Sequence, residues 1–177
     1  MTDPIVFGYG SLVNKRTLPN PLAPAALPGY RRTWQATATR DVAFLSIRSA
    51  PGSTIEGSSA KIIGGDFSSL NKREAGYSPI LAQSSIGPVI TYQVPQENHV
   101  PRDNHHLLLS YIDVVVQGFW DMYGLDGVDR FWDTTDGWDI PIIDDRRAPR
   151  YPRAQSLSSQ QIDAVDSGLA NLSAVIE

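Results

Sequence analysis

The sequence predicts a protein that contains both β-strands and α-helices, because some segments have strand character and others have helical periodicity. All five predicted strands lie before residue 95, and the longest amphipathic helix begins after Asp103 or Asn104. The length of 177 residues fits one domain, and 41% hydrophobic with 19% charged residues is enough for a core and unlike a disordered chain. We therefore expect a single domain over residues 1–177.

Five segments are predicted as β-strands from short apolar runs or from alternation: 5–7, 30–39, 42–47, 56–63 and 89–94. The alternation is clearest where Tyr30, Arg32 and Trp34 share one face. A turn is predicted at Pro51-Gly52. The prolines between residues 19 and 28 predict an ordered surface loop, because proline cannot donate to a helix or to a sheet ladder.

Four segments are predicted as helices: 66–77, 104–124, 127–133 and a final segment that starts at Ser158. In the second of these, apolar residues recur at helical spacing from Leu107 to Met122, and Gly124 is expected to end the helix. Ser158 and Gln161 have the spacing of a capping box, which predicts the start of the last helix.

Charge and cysteine content argue against several classes of protein. Lys plus Arg total 15 and Asp plus Glu total 19, and the resulting net charge of −4 is unlike that of a general nucleic-acid binder. Cysteine is absent, which excludes disulfides, thiolate catalysis and cysteine-based metal sites. No signal peptide is recognised, and no apolar run approaches the ~20 residues of a membrane-spanning helix. We expect a cytoplasmic protein that binds neither nucleic acid nor membrane.

The first predicted strand leads into the turn Gly8-Tyr9-Gly10-Ser11, which has several interpretations. A dinucleotide-binding fingerprint needs a third glycine where Val13 stands, and the following prolines exclude the long helix of such a unit. The flanking residues fit neither a Walker loop nor a nucleophile elbow. Two interpretations remain: a plain tight turn, or a loop whose free N–H groups hold a carboxylate or a developing oxyanion.

Two groups of charged residues have both a functional and a structural interpretation. Glu74 is near a predicted helix C-terminus, where the helix dipole raises a carboxyl pKa and favours proton transfer. Alternatively, Glu74 is a surface residue paired with Arg73 or Lys72. The segment 146–153 contains four arginines, which either hold a substrate carboxylate or form a solvated, internally paired surface. The histidines are expected to be solvated.

The glycine turn and the Glu74 region together resemble a known family. Val6-Phe7-Gly8-Tyr9-Gly10-Ser11-Leu12 is similar to the Tyr-Gly-Ser signature of the gamma-glutamylcyclotransferase-like superfamily. Leu70-Asn71-Lys72-Arg73-Glu74-Ala75-Gly76-Tyr77 resembles its Leu-Asp-x-x-Glu-x-x-Tyr region, with Asn71 in place of the aspartate. Pro28-Gly29-Tyr30-Arg31-Arg32 resembles the segment that enters the family's second strand. The resemblance extends to about residue 95, and residues 135–177 are expected to be a subfamily C-terminal extension packed on the domain.

The resemblance implies a fold of the α+β class, a small mixed β-barrel with helices packed outside. It also implies an enzyme that cyclises a γ-glutamyl group to 5-oxoproline and releases an amine or amino acid, without a metal or a cofactor. Glu74 is then the general acid/base. The substrate-binding residues carried over by position are Tyr9, Gly10, Ser11, Leu12 and Tyr77. The expected partner is a small-molecule γ-glutamyl substrate, and the protein is expected to be a monomer or a small homo-oligomer.

The implied reaction makes a structural prediction about Glu74. An α-amino group has a pKa of about 7.8 and a glutamate about 4.3, so proton transfer between them is uphill by ~5 kcal/mol. Burial would narrow this gap, so Glu74 is expected to be mostly buried in a pocket next to Gly10. Two alternatives stay open: a non-catalytic member of the same fold that binds a small molecule or a partner, and a hydrolase that uses water. The leaving group and the role of the arginine segment also stay open.

Overall fold

Six strands form one mixed sheet in the computed structural model, which describes residues 3–177. The strands of that part of the chain are β1 (Ile5–Gly8), β2 (Leu22–Gln35), β3 (Phe44–Lys61), β4 (Ser78–Ser84), β5 (Gly87–Gln93), β6 (Leu107–Leu108), β7 (Thr135–Asp136) and β8 (Ile142–Ile143). The main sheet has the order β4-β5-β1-β3-β2-β7, and β6 pairs with β8 separately. β1 is antiparallel to β3 and parallel to β5, so the sheet is mixed.

The main sheet curls into a half-barrel, because the first half of β2 turns towards the β4–β5 hairpin. The Ala26 N–H donates to Ser85 Oγ at 3.0 Å, and the Ser85 N–H donates to the Ala26 carbonyl at 2.9 Å. The helices pack against this curled sheet, so the predicted α+β class is confirmed. β1 lies between β5 and β3 in this sheet, and the candidate site is at the turn that follows β1.

The prediction of a surface loop across the prolines is wrong from Leu22 onward, because this stretch is part of a strand. Residues 22–28 belong to β2 and pair with β3, with Pro24 opposite Ser58 and Pro28 opposite Thr54. β7 pairs with β2 further along, at residues 32–33, so the proline-rich stretch follows an edge of the sheet. Proline is tolerated at an edge because the N–H that it lacks would have no neighbouring strand to bond.

The predicted turn at Pro51-Gly52 is a local irregularity within β3 and does not end a strand. Gly52 has φ +86°, and the pairing of β3 with β2 shifts register between Pro28 and Tyr30. The predicted strands 42–47 and 56–63 are therefore parts of one long strand. β4 was not predicted from the sequence. Apolar and polar residues do not alternate clearly along β4, because the apolar residue Leu81 lies on its exposed face.

Three α-helices complete the described chain: α1 (Ser68–Arg73), α2 (Leu109–Asp133) and α3 (Ser159–Asn171). α2 starts later than predicted, with Leu108 rather than Asp103 or Asn104 at its N-cap. Gly124 has φ +71° and interrupts α2. The prediction that one helix ends at Gly124 and a second one follows it is therefore confirmed. The capping box formed by Ser158 and Gln161 is also confirmed.

The core lies between one face of the sheet and the first half of α2. Its largest fully buried apolar side chains include Phe7, Leu27, Trp34, Leu45, Ile47, Leu109, Ile112, Phe119 and Phe131. α3 packs on α2, with Val165 and Leu169 fully buried in the same core. The description of 135–177 as a subfamily extension stays a prediction. No helix within residues 3–177 has the length and apolar character needed to cross a membrane.

Candidate active site

The glycines of the turn after β1 are required by close packing rather than by unusual φ angles. A Cβ on Gly10 would lie 2.7 Å from the Tyr111 hydroxyl oxygen, and a Cβ on Gly8 would collide with the Leu12 side chain. Neither glycine has a positive φ. The chain can therefore turn sharply and pass directly into a single 3-10 turn, Ser11–Val13.

The 3-10 turn presents free backbone donors. The first N–H groups of a helical turn have no partner within it. The Val13 N–H donates to the Gly10 carbonyl at 2.9 Å, but no acceptor in residues 3–177 takes the N–H of Gly10 or Leu12. Residues 8–12 line a small hollow of about 30 Å³. An N–H group of this turn that faces the hollow could donate to an anionic or carbonyl oxygen placed there.

A buried arginine holds the turn in place. Arg32 Nε donates to the Tyr9 carbonyl at 2.8 Å, and its guanidinium also donates to Thr134 Oγ1 at 2.7 Å and to the Glu56 carbonyl. Burial lowers the pKa of Arg32 to about 9. Alternation placed Arg32 on the buried face of its strand but did not assign it a role. An arginine on an apolar face was the signal that could have identified it, since buried arginines need several acceptors.

Glu74 lies directly after α1, with its N–H donating to the Leu70 carbonyl at 2.8 Å. Its side chain is 14% exposed, and it lines both the small hollow and a larger cavity beside it. Burial raises the pKa of Glu74, whereas the nearby charges of Arg73 and Arg153 act in the opposite direction. The predicted burial of Glu74 next to the Gly10 turn is therefore observed. Its role as acid/base stays a prediction.

Arg73 links Glu74 to the turn. Arg73 Nε lies 3.2 Å from Glu74 Oε1, and Arg73 Nη2 donates to Ser11 Oγ at 3.1 Å and to Thr17 Oγ1 at 2.9 Å. The sequence suggested an Arg73–Glu74 pair as an alternative to a functional glutamate. The pair exists, but the Arg73 side chain is only 7% exposed, so it is not a surface ion pair. It fixes the carboxylate relative to residues 11–17.

Tyrosines surround the carboxylate. The Tyr9 hydroxyl donates to the Tyr92 carbonyl at 2.6 Å, and the Tyr77 hydroxyl donates to the Leu45 carbonyl at 2.9 Å. Burial raises the pKa of Tyr9, Tyr77 and Tyr111, so these phenols are uncharged at neutral pH. Tyr111 was assigned from the sequence only to the apolar stripe of α2. In the structure it lines both cavities opposite Gly10.

The structure brings the predicted site residues together around the small hollow. All six of them border the small hollow: Tyr9, Gly10, Ser11, Leu12, Glu74 and Tyr77. Ser11, Glu74 and Tyr77 also line the larger cavity. Tyr9 and Leu12 are buried and pack into the core, so these two residues face the hollow with little accessible surface. The substrate-binding roles themselves stay predictions.

The larger cavity has a volume of about 360 Å³ and includes part of the arginine segment. Arg150 and Arg153 line it. Arg146 instead forms two hydrogen bonds of 2.8 Å to Asp113 and an ion pair with Asp166. Two of the four arginines therefore line the cavity and Arg146 is internally paired, and a role in holding a substrate carboxylate stays a prediction.

The histidines lie outside both cavities. His99 is exposed, as expected, whereas His105 and His106 are half-buried, and His105 Nε2 lies 2.9 Å from the Thr37 carbonyl oxygen.

No protein-family model matches the sequence, and no curated protein matches it. Solved structures do match. A gamma-glutamyl cyclotransferase superposes with a TM-score of 0.59 over 93% of this chain and 99% of its own, at 16% identity. An uncharacterized protein from Homo sapiens gives 0.57 over 94% and 99%, at 16% identity. YkqA from Bacillus subtilis gives 0.58 over 77% of this chain and 57% of its own, at 18% identity. The chain therefore has the predicted gamma-glutamylcyclotransferase-like fold.

Proposed function

We propose that this chain, with its gamma-glutamylcyclotransferase-like fold, is an enzyme that cyclises a γ-glutamyl group to 5-oxoproline. One observation carries the proposal. Glu74, whose side chain is mostly buried, lines the same hollow as Gly10 and Leu12, two residues whose N–H groups have no acceptor within residues 3–177. A base and a set of oxyanion donors side by side are the two components that intramolecular aminolysis needs.

The first step forms the ring. The carboxylate of Glu74 takes a proton from the α-ammonium group of the substrate, and the freed amine attacks the γ-carbonyl carbon. A C–N bond forms as the carbonyl π electrons move to oxygen. In this proposal, N–H groups of the turn at Gly10 and Leu12 donate to the resulting oxyanion and stabilise it without reorganisation.

The second step breaks the amide. Protonated Glu74 gives its proton to the leaving nitrogen, the C–N bond to that nitrogen breaks, and the oxyanion collapses to the lactam carbonyl. The ring nitrogen loses its second proton and the released amine gains one, so charge and protons balance. Glu74 returns to its carboxylate form, as general acid/base catalysis requires.

The environment of Glu74 supports a role both in taking a proton from the substrate amine and in giving a proton to the leaving nitrogen. Burial raises its pKa towards that of the substrate amine, which lowers the cost of taking the proton. The charge of Arg73 acts in the opposite direction and favours the ionised form of Glu74, which is the form that takes a proton. Removal of a positioned acid/base of this kind commonly lowers a rate by about 10²–10⁴-fold.

A non-catalytic binding protein with the same fold is the second candidate. The observation that favours it is the Arg73–Glu74 pair, because a carboxylate that already has an arginine partner is a weaker base. Such a protein would bind a γ-glutamyl compound in the same cavity and release it unchanged.

The test is an assay of 5-oxoproline release from a panel of γ-glutamyl compounds. We expect release by the unmodified chain and a loss of at least about 10²-fold in Glu74→Gln. Glu97→Gln is the matched control, because Glu97 is exposed and lies outside both cavities.

Three outcomes separate the candidates. Release that is lost in Glu74→Gln and kept in Glu97→Gln supports cyclisation. Release of free glutamate instead of 5-oxoproline would show a hydrolase. Binding without any product, or equal activity in Glu74→Gln, would contradict the proposed mechanism.

A further inference from the structure

We propose that the larger cavity contains a subsite for an anionic leaving group, and that the preferred substrates are γ-glutamyl compounds of an acidic amino acid. The subsite consists of Arg40, Lys72 and Arg153. This inference rests on the proposed function and assigns the part of the substrate that the sequence left open.

The cavity wall has more positive than negative side chains, although the whole chain has a net charge of −4. Its charged residues are Arg40, Asp41, Lys72, Arg73, Glu74, Arg150 and Arg153. Two pairs neutralise each other: Arg73 with Glu74 at 3.2 Å, and Arg150 with Asp41 at 3.3 Å. The cavity therefore keeps an excess of positive charge after its ion pairs are counted.

The three remaining cations have no carboxylate partner within 4.0 Å in the part of the chain that the structure describes. Arg40 and Lys72 are exposed, and Arg153 is half-buried. Arg40 lies over the Phe44 ring, at 5.5 Å from its centre, which holds its guanidinium at the cavity wall. Like charges around one cavity focus a positive potential that a bound anion would neutralise.

The segment that carries Arg153 is fixed to α2. The buried carboxylate of Asp145 accepts hydrogen bonds from the Ser110 N–H, the Ser110 hydroxyl and the Arg150 N–H, at 2.8, 2.6 and 2.8 Å. Arg146 is held by Asp113 on the same helix. These buried contacts attach the backbone of the segment to α2 as far as Arg150, three residues before Arg153.

The sizes of the two hollows determine which part of the substrate each accepts. The small hollow of about 30 Å³ has room for a carbonyl oxygen and little more. Glu74 lines both spaces, so a leaving nitrogen that it protonates must extend into the cavity of about 360 Å³. The leaving group therefore enters the space that the three cations surround.

Three unpaired cations in the cavity favour a substrate that has three carboxylates. The γ-glutamyl part brings one α-carboxylate, and a released amino acid brings a second. A third cation is matched only when the released amino acid has an acidic side chain. γ-Glutamyl-glutamate satisfies all three, whereas its glutamine analogue has nearly the same shape and leaves one cation without a partner.

The test compares kcat/KM for γ-glutamyl-glutamate and γ-glutamyl-glutamine, measured as 5-oxoproline release. We expect a preference of about tenfold or more for the glutamate compound, in line with a charge-assisted hydrogen bond. Arg153→Gln and, separately, Lys72→Gln should reduce that preference towards one. Lys72 is exposed, so its variant is expected to fold normally. Arg147→Gln is the control, because Arg147 is exposed on the same segment and does not line the cavity.

Calorimetric binding of the same two compounds to Glu74→Gln separates the subsite from the reaction. Preferential binding of the glutamate compound that Arg153→Gln removes supports the subsite, even if no compound is turned over and the proposed function fails. Equal binding and equal kcat/KM for the two compounds would overturn the subsite. Absence of binding by both compounds, or a preference that survives in both variants, would overturn it as well.

Discussion

At the scale of single residues, Arg73 determines how Glu74 can act. It pairs with the Glu74 carboxylate and also donates to Ser11 and Thr17, so one side chain links the charge of Glu74, the proposed base, to the position of the turn. The pKa of Glu74 reflects two opposing effects, since burial raises it and the charge of Arg73 lowers it. The balance between them has a measurable consequence in the pH dependence of the rate.

Arg73→Met should shift the acidic limb of the kcat/KM profile for 5-oxoproline release to higher pH. The variant removes an effect that lowers the Glu74 pKa, so the carboxylate is protonated at a higher pH. Because the base acts in its ionised form, activity should then appear only at higher pH. Arg73→Lys keeps a positive charge and should shift the limb less. An acidic limb at the same pH in all three proteins would show that Arg73 does not tune Glu74.

The sequence identified some of these residues and not others, for physical reasons. Glu74 and residues 9–12 form contiguous segments, so their chemistry can be inferred from local spacing. Arg32 and Tyr111 act on the turn from elements far away in the chain, and their spacing matched ordinary core positions. Only the three-dimensional contacts show that Arg32 donates to the Tyr9 carbonyl and that Tyr111 limits the space next to Gly10.

At the scale of elements, Asp145 connects the start of α2 to the segment that borders the cavity. Its carboxylate accepts the Ser110 N–H in the first turn of α2, a position where a helix has free donors. It also accepts the Arg150 N–H. The sequence predicted Asp103 or Asn104 as the cap of this helix. That prediction was wrong because the capping side chain comes from a distant part of the chain.

Asp145→Ala should lower the free energy of unfolding by about 1–3 kcal/mol, because it leaves buried donors without an acceptor. It should also increase amide hydrogen exchange across residues 146–153, since that segment loses its attachment to α2. Asp163→Ala is the control, because Asp163 is exposed and makes no ion pair within residues 3–177. Urea unfolding and hydrogen exchange measure the two effects. Unchanged exchange in Asp145→Ala would mean that other contacts hold the segment.

Local propensity explains where the prediction of the elements succeeded. Gly124 and the Ser158 capping box specify helix ends through their own backbone chemistry, and both were predicted correctly. The prolines were expected to exclude a helix and a central strand, and neither forms there. The prediction of a loop did not allow for an edge strand, in which proline is tolerated. Whether residues 22–28 lie at an edge depends on the whole sheet, and the sequence of that segment does not contain this information.

At the scale of the whole molecule, the curl of the sheet assembles the site. The turn follows β1, Glu74 follows α1, Tyr111 lies on α2 and Arg153 comes from the C-terminal segment, yet all of them border one connected pair of hollows. The resemblance to a known superfamily predicted the fold, which the solved structures confirm, and it predicted a carboxylate beside the turn. It did not predict the larger cavity, because the C-terminal segment that forms part of its wall lies outside the resemblance.

The most direct test of the central claim, cyclisation by Glu74, is the mass of the product formed in ¹⁸O-labelled water. Intramolecular attack by the α-amine gives 5-oxoproline without ¹⁸O, because no water enters the reaction, and Glu74→Gln should give little of it. We therefore expect unlabelled 5-oxoproline from the unmodified chain and at least about 10²-fold less from the variant. Glutamate that contains ¹⁸O, or unlabelled 5-oxoproline formed equally by Glu74→Gln, would contradict cyclisation by this carboxylate.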